Sequence, residues 1–204
     1  MSDVNDKEKA IEAVNKRKPE VETWLNRPSW KDYDKDDKVG YKAWYCDEEG
    51  TGFRSIKSQI VIKKSMKEVF DYVDDLNNKP KYDKSLDHCK EIENLGDNYK
   101  IQYFNYKGAF MISNRDFYVV AYQNYGEDYS EMFCTNFTSP KYPEVKGVVR
   151  AELIYAGFQF RKVDDGIQVT YYTQGDMKLN QMLVNTTLSN VAKQVVNIKK
   201  FLEG

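Results

Sequence analysis

The chain has 204 residues, of which 41% are hydrophobic and 31% are charged, and its formal net charge is −1. This length suits one domain with a sizeable core, and the even charge balance disfavours a nucleic-acid binder, which usually carries a basic excess. No apolar run approaches the ~20 residues that a transmembrane helix needs, and the polar start MSDVNDKEKA is unlike a secretory signal peptide.

The N-terminus is expected to be helical. Residues 5–16 have helical composition and contain a narrow apolar stripe. Pro19 suits the first turn of a second, short helical piece, and Pro28 would end it.

Strand-like patterns follow this helical segment. Polar and apolar residues alternate from Trp30 to Tyr45 and from Phe53 to Ile62, with Gly-Thr-Gly at 50–52 as the turn between them. Ser65 then predicts the start of a helix, because Glu68 three residues later completes a capping box.

The second half of the chain predicts a run of strands and one long helix. The strand-like segments are 88–94, 98–106, 116–124, 129–137, 147–161 and 167–176. Apolar residues recur every three or four positions over 178–203, which predicts a single closing helix. Runs of strands followed by helices indicate an α+β fold with an antiparallel sheet. The segment 116–123 is apolar on both faces, so both faces need cover, and a bound apolar ligand is a candidate for part of it.

Histidine and cysteine are scarce, which narrows the chemistry that the chain can perform. His88 is the single histidine, and Cys46, Cys89 and Cys134 are scattered without a Cys-x-x-Cys pair. A structural zinc site needs four such ligands, and only His88 and Cys89 are close in sequence. Separated cysteines without a signal peptide are typical of free thiols in a reducing cytosol. We therefore expect a cytoplasmic protein without a metal or other cofactor, in which His88 is structural or exposed.

Four stretches of sequence carry a family resemblance. They are SNRDFYVV at 113–120, KGVVRAEL at 146–153, VTYYTQGDMK at 169–178 and LNQMLVNTTLS at 179–189. In this order and spacing the chain, over about residues 20–203, resembles a START domain, the StAR-related lipid-transfer module.

Several positions differ from the family pattern. The family's Trp-Asp pair is Tyr82-Asp83 here, and the Gly-Trp expected after Lys178 is missing. The usual proline at the start of the last helix is Asn180, and the tryptophan that normally follows is Met182. The resemblance therefore leaves the type of lipid open.

The resemblance implies a helix-grip fold, in which a curved antiparallel sheet wraps around a long C-terminal helix and a lipid tunnel lies between them. Residues 1–204 would form one such domain, with an N-terminal helical segment at 5–25 and a C-terminal lid helix at 178–203.

A loop next to that helix would complete the lid. It is NYKGAFMISN at 105–114, and its apolar tip contains Phe110, Met111 and Ile112. An apolar tip on a loop can contact a membrane transiently, whereas the alternative is that these residues fold back onto the core.

The resemblance also implies which side chains contact the lipid. Lys79 lies four residues before Asp83, where phosphatidylcholine-binding relatives have an arginine that contacts the phosphate. The implied lipid-binding residues are Lys79, Tyr82, Asp83, Tyr99, Tyr103, Phe104, Arg115, Phe117, Arg150, Tyr155 and Met182. Gln102 and Ala121 stand where a sterol-carrying relative has a buried acid–base pair, which favours phospholipid over sterol.

Each of these residues also has a structural interpretation. Lys79 could be an exposed cation in a turn, and any of the aromatic residues could fill the core. Arg115 and its neighbour Asp116 could form ion pairs that tie the sheet together, and Arg150 and Glu152 could pair with them across strands.

The resemblance implies a soluble, intracellular lipid-binding or lipid-transfer protein without catalysis, which holds one lipid in an internal tunnel. Its partners would be a phospholipid or sterol and, transiently, a membrane surface, but no nucleic acid, and it would be a monomer. Two alternatives remain at this point: a protein-interaction module gated by lipid, and a helix-grip hydrolase or cyclase.

Overall fold

The structure, a computed structural model, describes residues 2–48, 54–108, 112–179 and 181–204, with the side chains of these residues except 2–5 and 181–186. Its helices are α1 (Ser2–Leu25), α2 (Met66–Asp74), α3 (Lys79–Tyr82), α4 (Gln181–Ala192) and α5 (Gln194–Glu203). Its strands are β1 (Lys31–Asp36), β2 (Tyr41–Asp47), β3 (Arg54–Ile62), β4 (Leu86–Gly96), β5 (Tyr99–Tyr106), β6 (Arg115–Asn124), β7 (Tyr129–Asn136), β8 (Val149–Arg150), β9 (Glu152–Val163) and β10 (Gly166–Asp176).

The strands of the described chain form one sheet in the order β1-β2-β3-β10-β9-β7-β6-β5-β4. Neighbours along this path are antiparallel, and the short β8 lies off the path, parallel to β6. The predicted α+β fold is confirmed: a curved antiparallel sheet is combined with a C-terminal helix.

Helices cover both faces of the sheet, as the two-sided apolar strand at 116–123 predicted. On the outer face, α1 packs against β6 and β7, and its buried apolar side chains include Val14 and Trp24. On the inner face, α2, α4 and α5 pack over β3, β9 and β10, around a core that includes Phe160 and Ile198. The chain therefore has one apolar core on each side of the sheet.

The two outermost strands are irregular. The pairing of β1 with β2 shifts register between Asp32 and Asp34. The pairing of β4 with β5 shifts at three places along β4. Such shifts are β-bulges or related irregularities, which bend and twist a strand.

Two helix boundaries differ from the sequence-based expectation. Helix α1 runs through Pro19 without a second start, because the side chains of Val14, Val21 and Trp24 pack into one outer core. The C-terminal helix begins at Gln181 rather than at 178, and Lys193 separates α4 from α5. Lys178 has a left-handed φ of 52°, which turns the chain before the helix starts.

Other local features agree with the sequence. The capping box at the start of α2 is present: the Glu68 amide donates to the Ser65 hydroxyl, and the Ser65 amide donates to the Glu68 carboxylate. The predicted strand at 30–45 is two strands joined by a turn at Gly40, whose φ is +71°. The Gly-Thr-Gly turn predicted at 50–52 lies outside the described residues.

Candidate functional site

A cavity of about 420 Å³ lies between the inner face of the sheet and the helices α2 to α5. Most of the side chains that line it are apolar, and they include Ile56, Val73, Phe104, Phe117, Phe158 and Val191. A cleft of this size with few polar groups is the usual form of a site for a small apolar molecule.

Lys79 brings an ammonium group to the cavity without a carboxylate partner. Its Nζ lies 5.2 Å from the ring centroid of Phe104 and 5.3 Å from that of Tyr82. Among the described residues, no carboxylate oxygen lies within 4.0 Å of this Nζ. Aromatic rings attract a cation more weakly than a paired anion does, so this ammonium can still pair with an anionic ligand.

Tyr82 and Asp83 come three and four residues after Lys79, and Tyr82 of the two lines the cavity. Tyr82 lines the cavity, and its hydroxyl donates to the Val73 carbonyl at 3.3 Å. Burial, together with the charge of Asp83, raises the pKa of Tyr82 well above its ordinary value, so this phenol stays neutral. Asp83 is fully buried but does not line the cavity, and its Oδ1 accepts a hydrogen bond from the Ser85 hydroxyl at 2.8 Å.

Arg115 ties two segments together where they border the cavity. Its Nε donates to the Met177 carbonyl at 3.2 Å, its Nη2 to the Lys178 carbonyl at 3.3 Å, and its Nη1 to the Ser113 carbonyl. Burial lowers the pKa of Arg115, and no carboxylate among the described residues forms an ion pair with it. The Arg115 guanidinium therefore donates hydrogen bonds to carbonyl groups, while no carboxylate of the described residues neutralises its positive charge.

Replacing Arg115 with methionine is expected to lower the free energy of unfolding by about 2 kcal/mol, because hydrogen bonds to charged groups stabilise by ~1.5–3 kcal/mol and three carbonyls lose their donor. Thermal unfolding would measure the loss. Arg115→Lys keeps the charge but not the fork of donors, so it should recover only a minor part of the stability. Full recovery in the lysine variant would contradict this role.

Arg150 and Asp116 form an ion pair on the opposite face of the sheet. The Arg150 Nε lies 2.7 Å from Asp116 Oδ1, and its Nη2 lies 3.2 Å from Oδ2. Asp116 is fully buried, and the guanidinium also lies 4.8 Å from the ring centroid of Tyr118. Arg115 and Asp116 therefore do not pair with each other, because neighbouring residues of a strand point to opposite faces.

Three of the expected aromatic contacts also lie on this outer face. Tyr99 packs against Tyr122 with ring centroids 5.1 Å apart, and Tyr103 packs against Tyr118 at 4.7 Å. Tyr155 packs edge-on against Trp24 of α1 at 4.8 Å. The structure thus brings Lys79, Tyr82, Phe104, Arg115 and Phe117 together at the cavity, and places Tyr99, Tyr103, Tyr155 and Arg150 across the sheet from it.

The remaining residues that the resemblance implied lie in the loop at 105–114 and in helix α4. Ile112 lines the cavity, whereas Phe110 and Met111 lie outside the described residues. Met182 belongs to α4, but its side chain also lies outside the described part of the chain.

The cavity contains polar residues that the sequence did not single out as ligand contacts. Gln194, in the first turn of α5, is 2% exposed and lines the cavity, and its Oε1 has no hydrogen-bond partner among the described residues. It lies three residues after Val191 and seven after Thr187, so helical spacing alone puts it on the same face as the predicted apolar stripe.

Burial holds two ionisable groups of the wall, the Cys134 thiol and the Tyr106 phenol, in their neutral forms. Burial raises the pKa of the Cys134 thiol to about 11, and its Sγ donates to the Ala156 carbonyl at 3.4 Å. Burial, and then the charge of Asp83, also raises the pKa of Tyr106 well above its ordinary value. Burial thus keeps the Cys134 thiol and the Tyr106 phenol neutral at neutral pH, whereas the charged side chains of Arg54, Asp74, Lys79, Lys84, Lys107 and Arg115 also line the cavity.

The described residues contain no group of three or more histidine, cysteine, aspartate or glutamate side chains that could hold a metal ion. Among the helices that the structure describes, none is both long enough and apolar enough to cross a membrane.

Comparisons with known proteins give a consistent result. The family model described as START domain matches residues 11–201. The fold is similar to human StAR-related lipid transfer protein 5, with a TM-score of 0.84, 17% identity, and coverage of 95% of this chain and 96% of that one. It is also similar to human STARD10, with a TM-score of 0.78, 19% identity, and coverage of 91% of this chain and 78% of that one.

A bacterial structure shares this fold as well. The STAR-related lipid transfer protein from Xanthomonas axonopodis has a TM-score of 0.70 and 19% identity, and the match covers 86% of this chain and 99% of that one. No curated protein sequence matches the chain.

Proposed function

The chain belongs to the START domain family, and we propose that it binds one lipid molecule in the cavity between the sheet and helices α2 to α5 and carries it between membranes without chemical change. The observation that supports this function best is the cavity itself, about 420 Å³ in volume and lined mostly by apolar side chains. Its wall offers an apolar surface for a lipid chain, and charged side chains such as those of Lys79 and Arg115 are available to the head.

The free energies involved explain why a carrier needs such a cavity. Moving one methylene group into water costs about 0.8 kcal/mol, so a sixteen-carbon chain costs ~13 kcal/mol. A carrier that exposed the chain in transit would therefore transfer lipid very slowly. An enclosed apolar wall offsets most of this cost, because the chain exchanges one apolar environment for another.

Phospholipid is favoured over sterol as the ligand. The support is Lys79, whose ammonium faces the cavity and contacts only the rings of Tyr82 and Phe104 there. A phosphate would neutralise this charge, whereas a sterol hydroxyl would leave it unpaired in a partly desolvated site.

The place of action follows from the same proposal. Transfer requires transient contact with a membrane surface, and we expect the loop that contains Ile112, a residue of the cavity wall, to make that contact. Cys46, Cys89 and Cys134 are free thiols, which fits the reducing cytoplasm, and we expect the protein to work there as a monomer.

Native mass spectrometry of the purified protein, followed by extraction and identification of lipid, tests the function directly. The expected result is one lipid bound per chain, with a phosphate-containing headgroup. A sterol adduct would contradict the headgroup assignment. A protein that carries no lipid and takes none up from mixed liposomes would contradict lipid binding altogether.

Replacing Lys79 with methionine should weaken binding of an anionic phospholipid about tenfold, because a partly buried charge–charge hydrogen bond contributes ~1.5 kcal/mol. The measurement is the dissociation constant for a fluorescent phosphatidic acid. Lys81→Met is the matched control, since Lys81 lies in the same helix but is exposed and donates to Asn78 instead. Equal affinities in the two variants would remove Lys79 from the site.

A further inference from the structure

The cavity follows strand β6 over most of its length. Its lining includes Arg115, Phe117, Ala121 and Gln123, which are separated by even numbers of residues and therefore share one face of the strand. From Arg115 to Gln123 the strand rises about 26 Å. The cavity thus has a loop end, where Arg115 donates to the Ser113 carbonyl, and a far end at Gln123, next to the turn into β7.

Helix α2 borders the far end of the cavity. Its last residue, Asp74, lines the cavity together with Gln123, and both residues are partly exposed. A residue that lines a cavity and also reaches solvent marks a place where the cavity meets the surface. The far end therefore meets the surface between the end of α2 and strand β6.

Lys100 bridges this border. Its Nζ lies 3.6 Å from Asp74 Oδ1 and 3.6 Å from Glu91 Oε2. Lys100 is on β5, directly beside Ala121 of β6, and Glu91 is on β4. The Lys100 side chain is 18% exposed, so both ion pairs are partly shielded from water. One lysine thus ties the end of α2 to the edge of the sheet.

The position of Asp74 indicates that this bridge matters for α2. The last turn of α2 contains no basic residue, and the helix dipole disfavours a negative charge at a helix C-terminus. Asp74 is therefore stabilised by Lys100 and not by its own helix. The other contact of α2 near this end is the Phe70 ring, which packs edge-on against Tyr125 with centroids 5.3 Å apart. Tyr125 is 49% exposed, so this contact closes the border only in part.

Resting on the proposed function, we propose that the far end is a second opening of the cavity, which the Lys100 bridge closes and through which water enters as the lipid leaves at the loop end. A departing lipid leaves space that must be refilled, because an empty cavity loses the packing contacts of its wall. With the loop end alone, water could enter only past the lipid itself. Ion pairs between partly exposed groups are weak, so thermal motion opens this bridge readily.

A natural thiol inside the far end reports whether it opens. Cys134 lines the cavity and pairs with Ala121, which pairs with Lys100, so the three residues form one row across the sheet. Cys46 is buried on β2 outside the cavity and serves as an internal reference. Mass spectrometry measures how fast iodoacetamide alkylates each thiol in the lipid-free protein. Lys100→Ala should speed the reaction of Cys134 about fivefold and leave that of Cys46 unchanged. An equal rise at both thiols would show general loosening and overturn the proposal.

Three further variants locate the bridge. Asp74→Asn should expose Cys134 as strongly as Lys100→Ala does, whereas Glu91→Gln should have a smaller effect, because only Asp74 belongs to α2. Lys90→Ala is the matched control, since Lys90 also lies at this edge of the sheet but is exposed and outside the cavity wall. Equal alkylation rates in the wild type, the control and the Lys100 variant would overturn the second opening.

Lipid release tests the role of the opening. Protein loaded with a pyrene-labelled phosphatidylcholine is mixed with acceptor liposomes, and Lys100→Ala should transfer the lipid about fivefold faster than Lys90→Ala. Unchanged transfer by a variant with a more accessible Cys134 would overturn the passage of water as the step that the bridge controls. A protein that takes up no lipid would overturn the proposed function and this role in release, whereas the alkylation rates need no lipid and would still decide whether the opening exists.

Discussion

Ala121→Trp is expected to lower the affinity for lipid about 1,000-fold while the protein stays folded. Ala121 lies on strand β6 between Lys100 of β5 and Cys134 of β7, and its small side chain lines the cavity. An indole ring there takes the space of about five methylene groups of the ligand, which is ~4 kcal/mol of transfer free energy. The added ring enters existing space, so the melting temperature should change little.

Lipid uptake from liposomes and thermal unfolding together check this prediction. Val145→Trp is the control, because Val145 is 43% exposed and lies outside the cavity. It adds the same side chain to the surface and should leave uptake unchanged. Normal lipid uptake by a folded Ala121→Trp variant would show that the lipid binds elsewhere.

Arg150→Met is expected to cost about 3–5 kcal/mol of stability, because removing one partner of a buried ion pair leaves the other charge uncompensated. Asp116 is fully buried and receives two hydrogen bonds from the Arg150 guanidinium. Arg150 also donates to the carbonyls of Tyr142 and Pro143, at 3.3 and 3.1 Å. Burial opposes its charge, but the hydrogen bonds and charge of Asp116 leave the pKa of Arg150 raised.

In a chain of this length we expect the melting temperature to fall by about 10 °C. The double variant Asp116→Asn with Arg150→Met should regain part of the loss, since asparagine carries no charge. Lys162→Met is the control for an exposed pair, as Lys162 and Asp128 are both largely exposed, and we expect a change within ~1 kcal/mol. A small effect of Arg150→Met, equal to that of the control, would contradict a stabilising role for the buried pair.

Local patterns in the sequence predicted most of the fold because they report local geometry. Apolar residues at both odd and even positions of 116–123 indicated a strand with two apolar faces, and the structure has a core on each side of it. Ser65 and Glu68 marked the start of α2, since a capping box needs only four consecutive residues. Pro19 was less informative, because packing of α1 on the sheet outweighs the hydrogen bond that proline cannot form.

The candidate site was harder to predict because it depends on which face of a strand each residue takes. Adjacent strand residues point to opposite sides, so Tyr103 and Phe104 separate, and only Phe104 reaches the cavity. On β9 the pairing with β10 skips a residue between Leu153 and Tyr155, so parity cannot be counted through this point. Arg150 was already expected as a possible partner of Asp116, but the sequence could not tell on which face they meet.

Gln194 shows a second reason why the site could not be predicted fully from the sequence. A polar residue within an apolar helical stripe is visible in the sequence, but its significance comes from what surrounds it in three dimensions. Only the fold shows that its Oε1 is enclosed and that no donor of the described chain reaches it.

The irregular outer strands bear on how the protein avoids aggregation. Open sheets can join edge to edge with other chains, since their outermost strands present unpaired backbone groups. Five of the six residues of β1 are charged, and β4 is interrupted by three register shifts, so neither border offers a long, flat template. Both borders of the sheet therefore resist pairing with a second chain.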